Sequence, residues 1–84
     1  MHLYAAYLGG PLDDGRMGED HEVVLVVAAD PVEAKERAMA KWRGAGRGHL
    51  DALERIDQID GHRIDLAPVG DADGGGDPVL ESFN

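Results

Sequence analysis

Residues 23–29, Val-Val-Leu-Val-Val-Ala-Ala, form a continuous apolar run with four valines. Branching at Cβ suits a pleated strand and disfavours a helix, so the run predicts a strand covered on both faces. The pattern then changes period. Asp30 can accept from the free amides of a first helical turn, and Pro31 follows at a position where its missing N–H costs nothing. Glu33 stands three residues after the cap, as in a capping box. The spacing predicts a helix from there to about Arg43, ended by Gly44 or Gly46. Ala34, Ala38 and Trp42 fall on one stripe with Met39 beside it, and the two alanines allow close approach to a sheet.

Residues 2–8, His-Leu-Tyr-Ala-Ala-Tyr-Leu, read as a first strand with partly apolar faces on both sides. Gly9-Gly10-Pro11 is expected to end it, and residues 9–20 to form an irregular loop leading back antiparallel. After the glycine-rich connector 44–48, residues 49–59 are ambiguous. Leu50, Leu53, Ile56 and Ile59 have helical spacing, yet Asp60-Gly61 followed by His-Arg-Ile-Asp-Leu signals a hairpin. A hairpin is the preferred reading, with a short helical turn near 50–53 left open. A three-residue loop with Gly61 left-handed would set Gln58 opposite His62 and Ile56 opposite Ile64, gathering Ile56, Ile64 and Leu66 on one face. Residues 70–77 carry one alanine as their sole apolar residue and read as a disordered linker. Val79, Leu80 and Phe83 follow in a terminus expected to fray.

The predicted order is β-β-α-β-β: an α+β domain over residues 1–68, with a four-stranded mixed sheet and one helix on one face, followed by an acidic glycine-rich tail over 69–84. One helix covers one face, so the second face is expected to serve as a homodimer interface. A strand, a helical crossover and a further strand should run parallel. That places the starts of the second and third strands, the end of the first and the helix C-terminus together.

Composition narrows the classes. The net charge is −9, from 17 acidic and 8 basic residues, which opposes direct binding of nucleic acid. The basic excess at Lys35, Arg37, Lys41, Arg43 and Arg47 reads as a solvated helix face, with an anion site as the alternative. The chain has no cysteine, hence no disulfide or thiolate chemistry. No run reaches the roughly 20 residues of a membrane span, and Met1-His2-Leu3-Tyr4 lacks a basic leader, so a cytoplasmic protein is expected. There is no threonine, and no serine precedes Ser82. Templates for nucleophilic catalysis therefore fail, and no catalytic residue is assigned.

The shared sheet end would bring together Gly9, Gly10, His21, His49 and Asp51. Two imidazoles and a carboxylate suit a divalent metal or a small ligand, though their spacing matches no compact metal motif. His21 paired with Asp51 or Glu22 would be an acid–base couple. Against any site here, ligands of open parallel sheets sit beyond the opposite strand ends, where His2 and His62 fall as surface residues. Gly9-Gly10 lacks the further glycines and Lys-Ser/Thr of a phosphate loop. Trp42 at helical spacing reads as core.

Tyr-Leu-Gly-Gly at 7–10, His-Glu-Val-Val-Leu-Val-Val-Ala at 21–28, Lys41-Trp42, His49-Leu-Asp51 and Ile-Asp-Gly-His-Arg-Ile at 59–64 together resemble a family of small bacterial proteins classed as a domain of unknown function. The resemblance spans roughly residues 3–67 and departs at His62, where a tyrosine is expected. It implies a bacterial source and a compact α+β domain, and brings no activity, ligand or cofactor. Ala-Asp-Pro-Val-Glu-Ala-Lys is also similar to the strand–helix junction of small antitoxin-like sheets, a likeness of fold alone. Three readings remain, in order of preference: a non-catalytic self-associating or partner-binding module, a small-molecule or metal-binding protein using Gly9, Gly10, His21, His49 and Asp51, and an enzyme with His21 as base.

Overall fold

The computed structural model describes residues 1–12, 18–70 and 76–78. Its elements are β1 (His2–Pro11), β2 (Glu19–Ala28), α1 (Pro31–Ala40), β3 (His49–Ile56), β4 (Gln58–Ile59) and β5 (His62–Arg63). The fold class is α+β, with one helix among the described residues, and these do not form the expected four-stranded mixed sheet. A three-stranded sheet in the order β2-β1-β3 stands beside a separate β4-β5 hairpin. β1 is central and antiparallel to both neighbours, so β2 and β3 run in the same direction without touching. The crossover returns the chain as predicted. The mixed sheet fails because β1 occupies the place between the two parallel strands.

Alternation in β1 sorts the two faces. Tyr4, Ala6 and Leu8 are buried with Val26 and Ala28 of β2, beneath Ala34 and Ala38 of α1. Four of these seven core residues are alanines, all fully buried, and their small size lets the helix sit close to the strands. Asp30 caps the helix through its Oδ1, which accepts from Glu33 N at 2.9 Å. The Glu33 carboxylate is engaged by Arg37 Nε one turn later, at 3.1 Å. Burial of the apolar run is one-sided: Val26 is 3% exposed, whereas Val23 and Val27 are 43% and 36% exposed.

The helix ends at Ala40 with Lys41 as its C-cap, three residues before the expected limit. Competing bonds explain the early stop. Arg43 N is taken by Glu22 Oε1 of β2 at 3.1 Å, so the chain is tied to the sheet instead of continuing the helical ladder. Lys41 Nζ donates to the Leu25 carbonyl at 2.7 Å and pairs with Asp77 at 2.9 Å. It thereby occupies part of the open edge of β2. Trp42, just beyond the helix, packs against the core as predicted. It is held among glycines: a Cβ placed on Gly10, Gly44 or Gly48 would approach the indole to 2.5, 2.1 and 2.8 Å. Among the described residues its Nε1 is buried without a hydrogen-bond partner.

Gly9-Gly10-Pro11 does not end the first strand, which continues opposite Glu19–His21. The expected loop centre, residues 13–17, lies outside the described residues. β3 is a strand from its first residue, so the helical turn considered near 50–53 is absent. Its helix-like spacing has a local cause. The register slips between Tyr7↔Ala52 and Leu8↔Leu50, which makes Asp51 an extra residue. This β-bulge turns Leu50 and Leu53, three apart, toward the same face, while Ile56 pairs with Leu3 on the other.

The hairpin register also differs from expectation. Ile59 pairs with His62 and Gln58 with Arg63, across a two-residue Asp60-Gly61 turn. Both turn residues have positive φ, 53° and 76°, the geometry of the tight turn that matches strand twist. The hairpin is exposed, so no buried face selected the three-residue alternative. Most of the expected 70–77 linker, and Val79, Leu80 and Phe83, lie outside the described residues.

The indole is enclosed on several sides, so it has little room to yield. Gly44→Ala is expected to cost about 1–3 kcal/mol by overpacking. The check is chemical denaturation, with the emission of the single tryptophan shifted in the folded variant.

Candidate functional site at the end of the central strand

Gly9 of β1 lies directly between His21 of β2 and His49 of β3. Antiparallel pairing on both sides puts the three residues in one row, with side chains on the face away from α1. The middle position has no side chain, so the flanking groups lean into the gap. The point where a Gly9 Cβ would sit lies 2.9 Å from Asp51 Oδ2, 3.0 Å from His21 Cδ2 and 3.1 Å from His49 Nε2. Gly9 is consequently buried although it belongs to the open face.

Each side chain is positioned by a nameable cause. His49 Nε2 lies 3.0 Å from Asp51 Oδ1. In a regular strand, residues 49 and 51 would share a face two places apart, both turned by the register that buries Leu53. The extra residue in β3 resets that register, so that Leu50 points inward and His49 outward, while Asp51 is aimed back at the gap. The His21 ring stacks on Tyr7, with centroids 5.1 Å apart and planes 28° from parallel. His21 N accepts a local constraint too, donating to Asp20 Oδ1 at 3.0 Å.

Four of the five predicted site residues therefore meet: Gly9, His21, His49 and Asp51. Gly10 does not join them. Adjacent strand residues point to opposite faces, and Gly10 faces Trp42 across the sheet. Glu22 leaves the couple considered with His21 for the same reason; its carboxylate holds Arg43 N on the helix side. His62 is at the hairpin turn, with Nδ1 2.9 Å from the Asp60 carbonyl. His2 is in edge contact with Tyr4 at 6.5 Å. Tyr7 is the residue that sequence reasoning missed. It stands two places before Gly9 on the same face, a spacing that marks it as the neighbour of whatever sits over the glycine.

Chemically the arrangement offers imidazole nitrogens that donate or accept, a carboxylate that orients one of them, and an aromatic wall. Among the described residues no three His, Cys, Asp or Glu side chains are grouped so that they could hold a metal ion.

A family model for a Domain of Unknown Function, DUF1543, matches residues 16–66. The chain belongs to that family. The matched stretch carries β2, α1, β3 and the hairpin, including His21, His49 and Asp51, whereas Gly9 and Tyr7 precede it. No curated protein and no solved structure matches the chain. Among the described residues no helix is long and apolar enough to cross a membrane.

The atoms closest to the Gly9 gap are the ends of side chains, which can swing away. Gly9→Ala is therefore expected to open the cluster at a stability cost below about 1 kcal/mol, less than Gly44→Ala. Histidine side-chain NMR should show both the His21 and His49 ring signals displaced, with those of His2 and His62 unmoved.

Proposed function

We propose that this DUF1543 protein is a non-catalytic module that self-associates, a second copy of the chain covering the open face of its sheet. The carrying observation is the face itself. Tyr7, Val23 and Val27 are 41%, 43% and 36% exposed, with Leu3, Ala5, Leu25 and Ile56 half-buried among them. The helix lies on the other side and cannot shield them. Two copies related by a twofold axis would bury the same patch on each, and a domain of this size gains much from added burial. The shortage of hydroxyl and thiol nucleophiles supports a non-catalytic role. The reading places the protein in the bacterial cytoplasm, in line with its resemblance to a bacterial family.

Light scattering at tens of micromolar is expected to give a dimer. Val23→Lys combined with Val27→Lys should give a monomer with unchanged helical circular dichroism, because unpaired positive charges would be desolvated in the interface. A monomeric wild-type chain at that concentration would overturn the proposal.

A second reading is favoured by a separate observation, the convergence of His21, His49 and Asp51 over Gly9. In it the sheet end takes a small polar molecule, held by the imidazoles against the Tyr7 ring. Its check is histidine NMR during titration with imidazole, acetate and zinc. Joint movement of the His21 and His49 signals with an organic probe supports it; zinc alone moving them would restore a metal reading, and no joint movement ends it.

A further inference from the structure

Two of the cationic residues that the sequence assigns to a solvated helix face, Lys35 and Arg47, are exposed and border a common cleft. Lys35 of α1, Arg47 of the 44–48 connector and His49 of β3 border one cleft, whose apolar lining includes Met39, Trp42 and Leu50. The cleft measures about 610 Å³, within the range of small-molecule sites. Among the described residues no carboxylate lines it, although acidic residues outnumber basic ones in the chain by 17 to 8. His49 stands at its margin, next to Asp51 on the opposite side of the sheet. Met39, Trp42 and Leu50 are partly buried hydrophobics packed on the core, so the apolar wall is supported from behind.

We propose that this cleft binds a small organic anion with a flat apolar body, the anionic head lying toward Lys35 and Arg47 and the body against Met39, Trp42 and Leu50. Charge complementarity selects the head. A local cluster of cations between apolar walls focuses positive potential within an otherwise negative surface, and a guanidinium pairs with a carboxylate or phosphate in a bidentate fork. The apolar lining selects the body, with the thioether of Met39 able to adapt to its shape. The site is separate from the open sheet face, and its test does not depend on association through that face.

Calorimetric titration of the full chain with 2-naphthoate, its neutral analogue 2-naphthamide and inorganic phosphate tests the assignment. The acid should bind about ten-fold or more tightly than the amide and weaken as salt is raised. Phosphate alone should bind more weakly than the acid. Lys35→Glu combined with Arg47→Glu should abolish binding while the thermal melt, followed by circular dichroism, shows a folded chain. Val23→Lys, on the opposite face, should leave binding unchanged. Equal affinity for acid and amide would overturn the anionic head, and phosphate binding as tightly as naphthoate would overturn the apolar body. Absence of naphthoate binding at millimolar concentration, or full binding by the double variant, would overturn the site.

Discussion

Two consecutive residues without side chains in the central strand govern both faces of this protein. Gly10 opens the helix side, where Trp42 fills the space; Gly9 opens the other side, where His21, His49 and Asp51 fill it. Because successive strand residues point in opposite directions, one dipeptide makes room for an aromatic anchor and for a polar cluster, back to back. A methyl group at either position would meet its neighbours well inside ordinary contact distance. The glycines therefore continue the strand, and their flexibility is incidental to their part in the fold.

The anchor has consequences along the chain. Trp42 is gripped by Gly44 and Gly48 as well as Gly10, which shapes the connector between α1 and β3. Glu22 draws Arg43 N to the sheet and ends the helix early. The connector then delivers His49 opposite Gly9, and the extra residue at Asp51 lets Leu53 point inward as Leu50 does. The cleft beside Trp42 and the cluster over Gly9 are separated by the thickness of the sheet and meet at His49. Its ring pairs with Asp51 on one side, while the residue also borders the cationic cleft.

The contrast between the faces follows from side-chain size. On the helix side, alanines in two strands and the helix reduce the distance between layers, and the core is correspondingly small, with Leu8 its largest fully buried residue. On the other side, valine, leucine and tyrosine project from the same strands with no covering layer among the described residues. Apolar contact that a larger domain would make internally is left for another surface, which is the physical basis for the self-association proposed above.

Much of this was determined by local sequence. Asp30-Pro31 marks the helix start because cap geometry and a fixed φ act within a few residues. The valine run specifies β2 through side-chain branching, and the crossover rule brings His21, His49, Asp51 and Gly9 to one end before any coordinate is known. Three features were left to tertiary structure. Gly9-Gly10 reads as a stop because a missing side chain looks the same whether it permits a turn or close packing; the neighbours that distinguish these come from residues 21, 42, 49 and 51. Leu50 and Leu53 read as helical because a bulged strand and a helix both place residues three apart on one side. The number of strands in the main sheet depended on whether β4 and β5 would join it. They form their own tight turn from Asp60 and Gly61, and local backbone geometry prevails there because no buried face opposes it.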